Sequence, residues 1–492
     1  MIVYVILAVL VIVAVLSWLS FMSDRKKTNL RGPVPYPFIG NGHLLAVDPC
    51  EFIKVLHRLQ EEYEDTVLIY LASRRYVLSS DPRVAEAVLT SNELITKGNS
   101  YTFLQPWLGN GLLTSTGQKW KAHRKFLTPA FHFNILQNFL PIFCKNGRVL
   151  RNKLSGLADG SSVDIFPILA LLALDNVTES IMGVSVNAQN DQHPEYVQAV
   201  EAVSQISSMR MRNPFVAPDA VFNLLPYKTA QDKALKVLHG QTMKVISSRK
   251  EELRKSNITD LGPNADTGIK NKHAFLDLLL LAEVDGRKIS DENIREEVDT
   301  FMFEGHDTTT SGITYCLYCL SNREDIQEKV FMEQKSIYGD DFGRDPTYAE
   351  IQKMRYLESV IKESLRLYPS VPIIERAIAE DSDLAGYHVP KGTNLVLDFL
   401  NMQRNAALYE DPLEFRPERF LEVSRNAFHW LPFNAGARNC IGQKFAMMEI
   451  KVTVAMVVNN FKILPSSEEP ELASTLILRS RNGVNIKLIP RK

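Results

Sequence analysis

Ile2 to Met22 is an uncharged run dominated by Val, Ile, Leu and Ala. Wound as a helix it is about 30 Å long, the thickness of a bilayer core. Asp24, Arg25, Lys26, Lys27 and Arg31 follow, and basic residues on that flank place the rest of the chain on the cytosolic side of a membrane. A secretory leader would carry a basic start, a shorter apolar stretch and a small-residue cleavage site. None is present, so the run reads as an uncleaved anchor, and the Asn-x-Thr sequons at Asn176 and Asn257 never meet glycosylation machinery. Between Arg31 and Gly40 three prolines stiffen the chain into an extended form. The expected division is an anchor over 1–22, a basic, proline-rich linker over 23–40 and one folded domain over 41–492.

Within that domain a 3.6-residue apolar period prevails. Glu51–Tyr63 is amphipathic, and Thr66–Leu71 with Arg75–Ser79 reads as a β-hairpin. Asp81 caps a helix to Thr90, with Pro82 at its first position. Lys97–Thr116 lacks strong periodicity and reads as a loop over a cavity; Lys119–Phe126 is a short helix. Residues 130–288 are mostly helical, interrupted at Asn213–Pro226, where three prolines and several apolar residues suggest a mobile lid, and at a polar loop over 256–273. Ser290 caps a long helix reaching Asn322. Met354–Tyr368 is a helix ended by Pro369, Val371–Arg376 is extended, and a helix begins at Gln443. No internal repeat is visible. The fold class is mainly α with a small β portion.

The chain has 492 residues and a formal net charge of −1, which argues against a nucleic-acid partner. Five scattered cysteines do not form a disulfide framework and fit a reducing compartment. Gly40-Asn41-Gly42 lacks the third glycine of a dinucleotide fingerprint. Cys316 and Cys319 form a CxxC inside a helix with no partner pair, which reads as core.

One cysteine differs. Cys440 stands in Phe433-Asn434-Ala435-Gly436-Ala437-Arg438-Asn439-Cys440-Ile441-Gly442, just ahead of a helix whose N-terminus favours a thiolate. Gly436 and Gly442 permit turns and close approach of a flat ligand, Arg438 can clamp a carboxylate, and Phe433 is a flat apolar wall. The middle of the long helix, Glu297 to Gly312, concentrates Thr and Gly far from either end. Phe301, Glu304, Gly305, Thr308 and Gly312 share one stripe. Asp307 beside Thr308 is an acid–alcohol pair able to relay protons; His306 points off the stripe and reads as structural. Trp120 and Arg124 are spaced i,i+4, and Glu363 and Arg366 i,i+3, neither unusual alone.

FxxGxRxCxG resembles the haem-binding loop of the cytochrome P-450 superfamily at Phe433, Gly436, Arg438, Cys440 and Gly442. The resemblance implies a single large haem-thiolate fold behind the anchor, with haem b (iron protoporphyrin IX) held by Cys440 as axial thiolate. It makes Trp120, Arg124 and Arg376 propionate anchors, makes Thr308 and Asp307 the catalytic proton-delivery pair, and joins Glu363 and Arg366 to Arg419 of Phe415-Arg416-Pro417-Glu418-Arg419-Phe420 behind the cysteine loop. EVDTFMFEGHDTT over Glu297–Thr309 resembles family 4, the alkyl and fatty-acid terminal hydroxylases; there, the glutamate at the position of Glu304 can esterify a haem methyl. The implied activity is a monooxygenase inserting one atom of O2 into C–H bonds of lipophilic, fatty-acid-like substrates. Electrons come from NADPH-cytochrome P-450 reductase, with cytochrome b5 a second candidate donor, at the endoplasmic reticulum membrane. Lys121, Lys125 and Lys444 are candidates to steer an acidic partner. The tail Asn482-Gly483-Val484 looks like insect members, where hormone and xenobiotic oxidation are alternatives. A reductase-independent isomerase or a non-catalytic haem sensor are further readings; the acid–alcohol pair argues against the isomerase. Ser474–Leu478 is expected to wall the cavity.

Overall fold

The computed structural model describes residues 1–131, 133–191, 194–258, 275–281, 283–284, 287–339, 341–421 and 426–491. Most of the loop expected over 256–273 lies outside them.

The first helix runs Ile2–Arg25, past Met22, because its last turn has partners in the body. Asp24 takes a hydrogen bond from Arg75 Nε at 2.8 Å, pairs with its Nη2, and accepts from Tyr70 Oη at 3.0 Å. Phe21 packs edge-on to the Tyr70 ring, 5.1 Å between centroids. The apolar turns before it are exposed; among the described residues this is the one helix long and apolar enough to cross a membrane. The proline-rich segment lies along a sheet edge: Leu68 N donates to Arg31 O at 2.7 Å, and buried Asn41 accepts from Tyr70 N at 2.9 Å.

That sheet orders its strands Thr66–Leu71, Arg74–Ser79, Asn394–Asp398, Ile373–Ala377. The first two form the expected hairpin, and the second pairs in parallel with the third. A parallel pair needs a crossover; here the helical body between residues 79 and 394 supplies it. Ser162–Asp164 joins Phe461–Pro465 and Asn485–Pro490 in a second sheet, and Leu472–Ser474 with Leu478–Ser480 makes a hairpin.

The central helix, Asp291–Ser321, is 31 residues long; Ser290 Oγ caps it by accepting from Asn293 N at 3.2 Å. It is buried nearly all round and packs against Phe166–Ser180, Pro226–Lys255, Arg355–Leu367 and Gln443–Asn460. Tertiary burial therefore outweighs the poor propensity of its Thr and Gly residues. The threonines answer their own hydroxyls locally: Thr308, Thr309 and Thr310 each donate to the carbonyl four residues back, at 2.6, 2.9 and 2.8 Å.

The segment expected as a lid holds a short helix, Asp219–Phe222. Arg210 pins it, donating to Ala217 O at 2.7 Å and Asp219 Oδ1 at 2.5 Å and stacking on Phe222. Cys316 and Cys319 are buried in the core, as their helical setting predicts.

Candidate active site

Cys440 N donates to Phe433 O at 2.9 Å, which closes the loop three residues before the helix Gln443–Asn460. The sulfur faces a cavity of about 380 Å³, within the range of small-molecule sites. Phe433, Arg438, Gly442, Trp120 and Arg124 line the same side. Gly436 works differently from its expected approach to a flat ligand. Its φ is +68°, and a Cβ there would run into the Leu89 carbonyl, so it lets the loop pass the helix Pro82–Thr90.

The opposite wall comes from the central helix: Thr300, Phe301, Phe303, Glu304, Gly305, Thr308 and Thr309. The stripe read from the sequence is there except for Gly312, which is buried behind it, where a Cβ would lie 3.1 Å from Ile450. Gly305 lines the cavity, but its missing Cβ would lie 2.6 Å from Val177. Both glycines therefore admit neighbouring helices. His306 is fully buried, off the cavity, and set edge-on to Tyr196; burial pushes its pKa down to about 4, so it stays neutral. Asp307 also faces away from the cavity lining: fully buried, it accepts from Arg479 Nη2 at 2.5 Å. Thr308 is on the wall, its carbonyl accepting from Ser370 Oγ at 2.8 Å. The acid and the alcohol thus sit on two faces of one helix.

The remaining walls are mostly apolar. Ser474, Thr475, Leu476 and Ile477 at the hairpin tip and Val371, Ile373 and Ile374 before and on the sheet edge all line the cavity, as do Tyr101, Leu104 and Leu112 from the 97–116 segment.

Cationic groups gather on the cysteine side, and among the described residues Arg124, Arg376 and Arg438 form no ion pair. Arg376 is 1% exposed, and its Nη2 has no partner. Arg438 stacks 4.0 Å over Trp120 and donates only to carbonyls, to Ile95 O at 3.1 Å and Ser115 O at 2.6 Å. Burial, with Arg376 adding repulsion, brings its pKa down to about 9. Lys97 is held well below the usual lysine range by burial and by Arg376 and Arg438. Arg124 bonds Asn439 O at 2.8 Å and Oδ1 at 2.6 Å. Such a cluster is costly unless an anion joins it, and the two propionates of a porphyrin fit that need. The sulfur makes a parallel demand. Burial pushes the Cys440 thiol up to about 11, with Glu304 across the cavity adding to it, so the free side chain is protonated. A bound metal cation would remove that proton. Among the described residues no group of three or more His, Cys, Asp or Glu could hold a metal ion.

Glu304 is the carboxylate on the far wall; burial raises its pKa to about 7, with Lys97 pulling the other way. Behind the cysteine loop, Glu363 takes Arg366 Nε and Nη2 at 2.7 and 2.8 Å, Arg419 Nε at 3.2 Å and Arg416 N at 3.0 Å. All three side chains of the Glu363–Arg366–Arg419 network are buried. Gln403 carries this frame to the loop: its carbonyl accepts from Arg366 Nη1 at 2.8 Å, and its Oε1 from Leu431 N at 2.7 Å. Sequence reading missed Gln403, Lys97 and Arg479, none of which stands in a local motif. It also missed Glu449, which is fully buried and accepts from Asn176 Nδ2 at 2.8 Å; its only sequence signal is a charge in the middle of an apolar helix. Lys121, Lys125 and Lys444 are exposed.

A mainly helical body behind an apolar helix thus holds one cysteine beside a largely apolar cavity with several cations near it. A family model described as Cytochrome P450 matches residues 30–488. The chain is 42% identical to Cytochrome P450 4d2 of Drosophila melanogaster, with 99% of each covered. It is 40% identical to Cytochrome P450 4c21 of Blattella germanica, covering 93% of this chain and 92% of that one. It belongs to the cytochrome P450 family, and its general chemistry is that family's monooxygenation.

Proposed function

We propose that this chain is a haem-thiolate monooxygenase that hydroxylates long aliphatic substrates, fatty acids among them, at or near the chain end. The observation that carries the reading is the cavity itself. Cys440 lies on one side, Glu304 and Thr308 on the other, and apolar side chains make up most of the rest. Haem b would be held by Cys440, with Arg124, Arg376, Arg438 and Lys97 taking the propionates and Trp120 and Phe433 beside it. When bound, a thiolate-ligated haem supplies the activation of O2 for insertion into a C–H bond. The protein's own share is the remainder. Apolar walls desolvate the substrate and hold its chain against the Cys440 side. Thr308 holds a hydroxyl on the cavity wall, and Asp307, on the other face of the helix and paired with Arg479, would be the acid behind that hydroxyl. Electrons would come from NADPH through a membrane reductase, with the exposed Lys121, Lys125 and Lys444 facing an acidic partner, at the endoplasmic reticulum membrane.

The test is a reconstituted system of haem-loaded protein, reductase, NADPH and a panel of saturated fatty acids and alkanes, with products separated by mass spectrometry. Terminal or penultimate alcohols, together with a thiolate-type carbon monoxide difference spectrum, are expected. A thiolate spectrum with no NADPH-dependent product from any panel member would refute the substrate assignment; no thiolate spectrum would refute the whole reading.

A further inference from the structure

The cavity reaches an arginine that the haem site does not use. Arg212 ends the helix Pro194–Arg212 and lines the same cavity as Cys440, yet is only 7% exposed. Its neighbours are not those of the cysteine loop. Nε donates to Val47 O at 3.0 Å, Nη1 to Ser208 Oγ at 2.6 Å, and the guanidinium lies 5.8 Å from the Phe52 ring. A guanidinium has five N–H donors, and these two bonds leave three. Among the described residues no carboxylate forms an ion pair with it, whereas Arg210, two residues earlier, has Asp219. The acid that acts on Arg212 through charge is Asp48. That carboxylate is already engaged by Cys50 N, Glu51 N and Arg481. One bland reading is a helix C-terminal cation resting against the dipole. That accounts for charge at the terminus but not for burial against an apolar cavity, which costs several kcal/mol for an uncompensated ion.

We propose that Arg212 is the carboxylate anchor of the substrate site. A long-chain fatty acid would place its carboxylate on Nη1 and Nη2 of Arg212, with the Ser208 hydroxyl beside it. Its hydrocarbon would run between Phe52, Leu56, Met211 and Leu476, leaving the methyl end toward Thr308 and Cys440. The anchor fixes which end enters first, and so makes terminal oxidation a matter of length between two fixed points. This rests on the fatty-acid reading above and adds the residue that selects the acid over neutral chains of the same length.

Equilibrium dialysis of the haem-loaded protein against hexadecanoate and hexadecan-1-ol tests it, with Arg212→Gln, Arg212→Lys and wild type compared at equal haem content. Wild type should bind the acid more tightly than the alcohol. Losing a charge-assisted bond in a buried site, Arg212→Gln should weaken the acid by about tenfold to a hundredfold and leave the alcohol unchanged. Arg212→Lys should recover part of the difference. In turnover the glutamine variant should move oxidation of the acid inward along the chain. Equal losses for acid and alcohol would mark Arg212 as merely structural and overturn the proposal, as would wild type that does not distinguish them. If wild type oxidises the acid at its end while Arg212→Gln leaves acid affinity intact, only the anchor falls. If wild type takes neither compound, the fatty-acid reading falls with it.

Discussion

Replacing Glu363 by Gln removes one carboxylate and strands two arginines. Glu363 accepts four N–H groups, three from Arg366 and Arg419 side chains and one from the backbone of Arg416. Both guanidinium groups keep carbonyl partners, Arg366 at Gln403, Pro412 and Glu414 and Arg419 at Asp411, but lose their counter-charge. Breaking a buried pair by deleting one partner costs about 3–5 kcal/mol. Here one deletion leaves two charges, so the upper end of that range applies, against a total stability of about 5–15 kcal/mol. Because Gln403 links Arg366 to Leu431 of the cysteine loop, the loss should appear first as missing haem. The assay is haem per polypeptide after purification, with the thermal midpoint of whatever folds. Glu251→Gln is the control: Glu251 and Arg254 have the same i,i+3 spacing and bond distances of 2.9 Å, but lie at the surface, where such pairs contribute little. It should leave both readouts unchanged. Normal haem content and an unshifted midpoint in Glu363→Gln would refute the reasoning.

In wild type, extracting the protein with acid and organic solvent after turnover should leave part of the haem on the polypeptide, and Glu304→Ala should release all of it. Such an ester would replace a methyl C–H and the carboxyl O–H by a C–O bond, a two-electron oxidation in which O2 takes those two electrons and two more from NADPH and leaves as two waters. Asp307→Asn should keep haem but lower product formed per NADPH oxidised, because Arg479 would then hold no acid at that point. Glu449 gives a pH signature. Burial raises its carboxyl to about 8 in the folded protein, above about 4.3 in the unfolded chain. Between those values the folded state holds a proton that the unfolded state lacks. Its contribution is complete below the unfolded value and is lost as pH rises toward the folded one. Glu449→Gln should therefore gain thermal stability relative to wild type on going from about pH 5 to about pH 8; a difference that does not vary with pH would contradict this.

Local chemistry made the haem-side elements readable. The FxxGxRxCxG loop, the Thr- and Gly-rich stretch of the central helix and the Glu363–Arg366 pair each announce themselves within ten residues or so, and the hairpin at Thr66–Ser79 shows in its alternation. What stayed hidden depends on where distant segments meet. Lys97 becomes part of the cation cluster only because its strand bridge to Arg376 crosses almost the whole body. Arg479 reaches Asp307 from the last hairpin, and Arg212 reaches Val47 from another helix. A period of 3.6 says which face is buried, not what another face brings to it. Gly436 shows the same limit: it was legible as a site of close approach, but not that the Leu89 backbone is what approaches.

The clamp on the first helix limits how the chain can be shortened. Arg75 is 9% exposed, and its counter-charge, Asp24, belongs to the last turn of that helix. Phe21, one turn earlier, covers the Tyr70 ring that also binds Asp24. A cut made where the apolar run ends, after Met22, removes the aromatic cover and leaves Asp24 on a frayed end. A cut after Lys27 leaves Arg75 buried and unpaired. A soluble version that keeps Phe21 to Arg25 on a polar leader would retain the sheet edge intact. The order of thermal midpoints should therefore follow the position of the cut rather than the number of apolar residues removed.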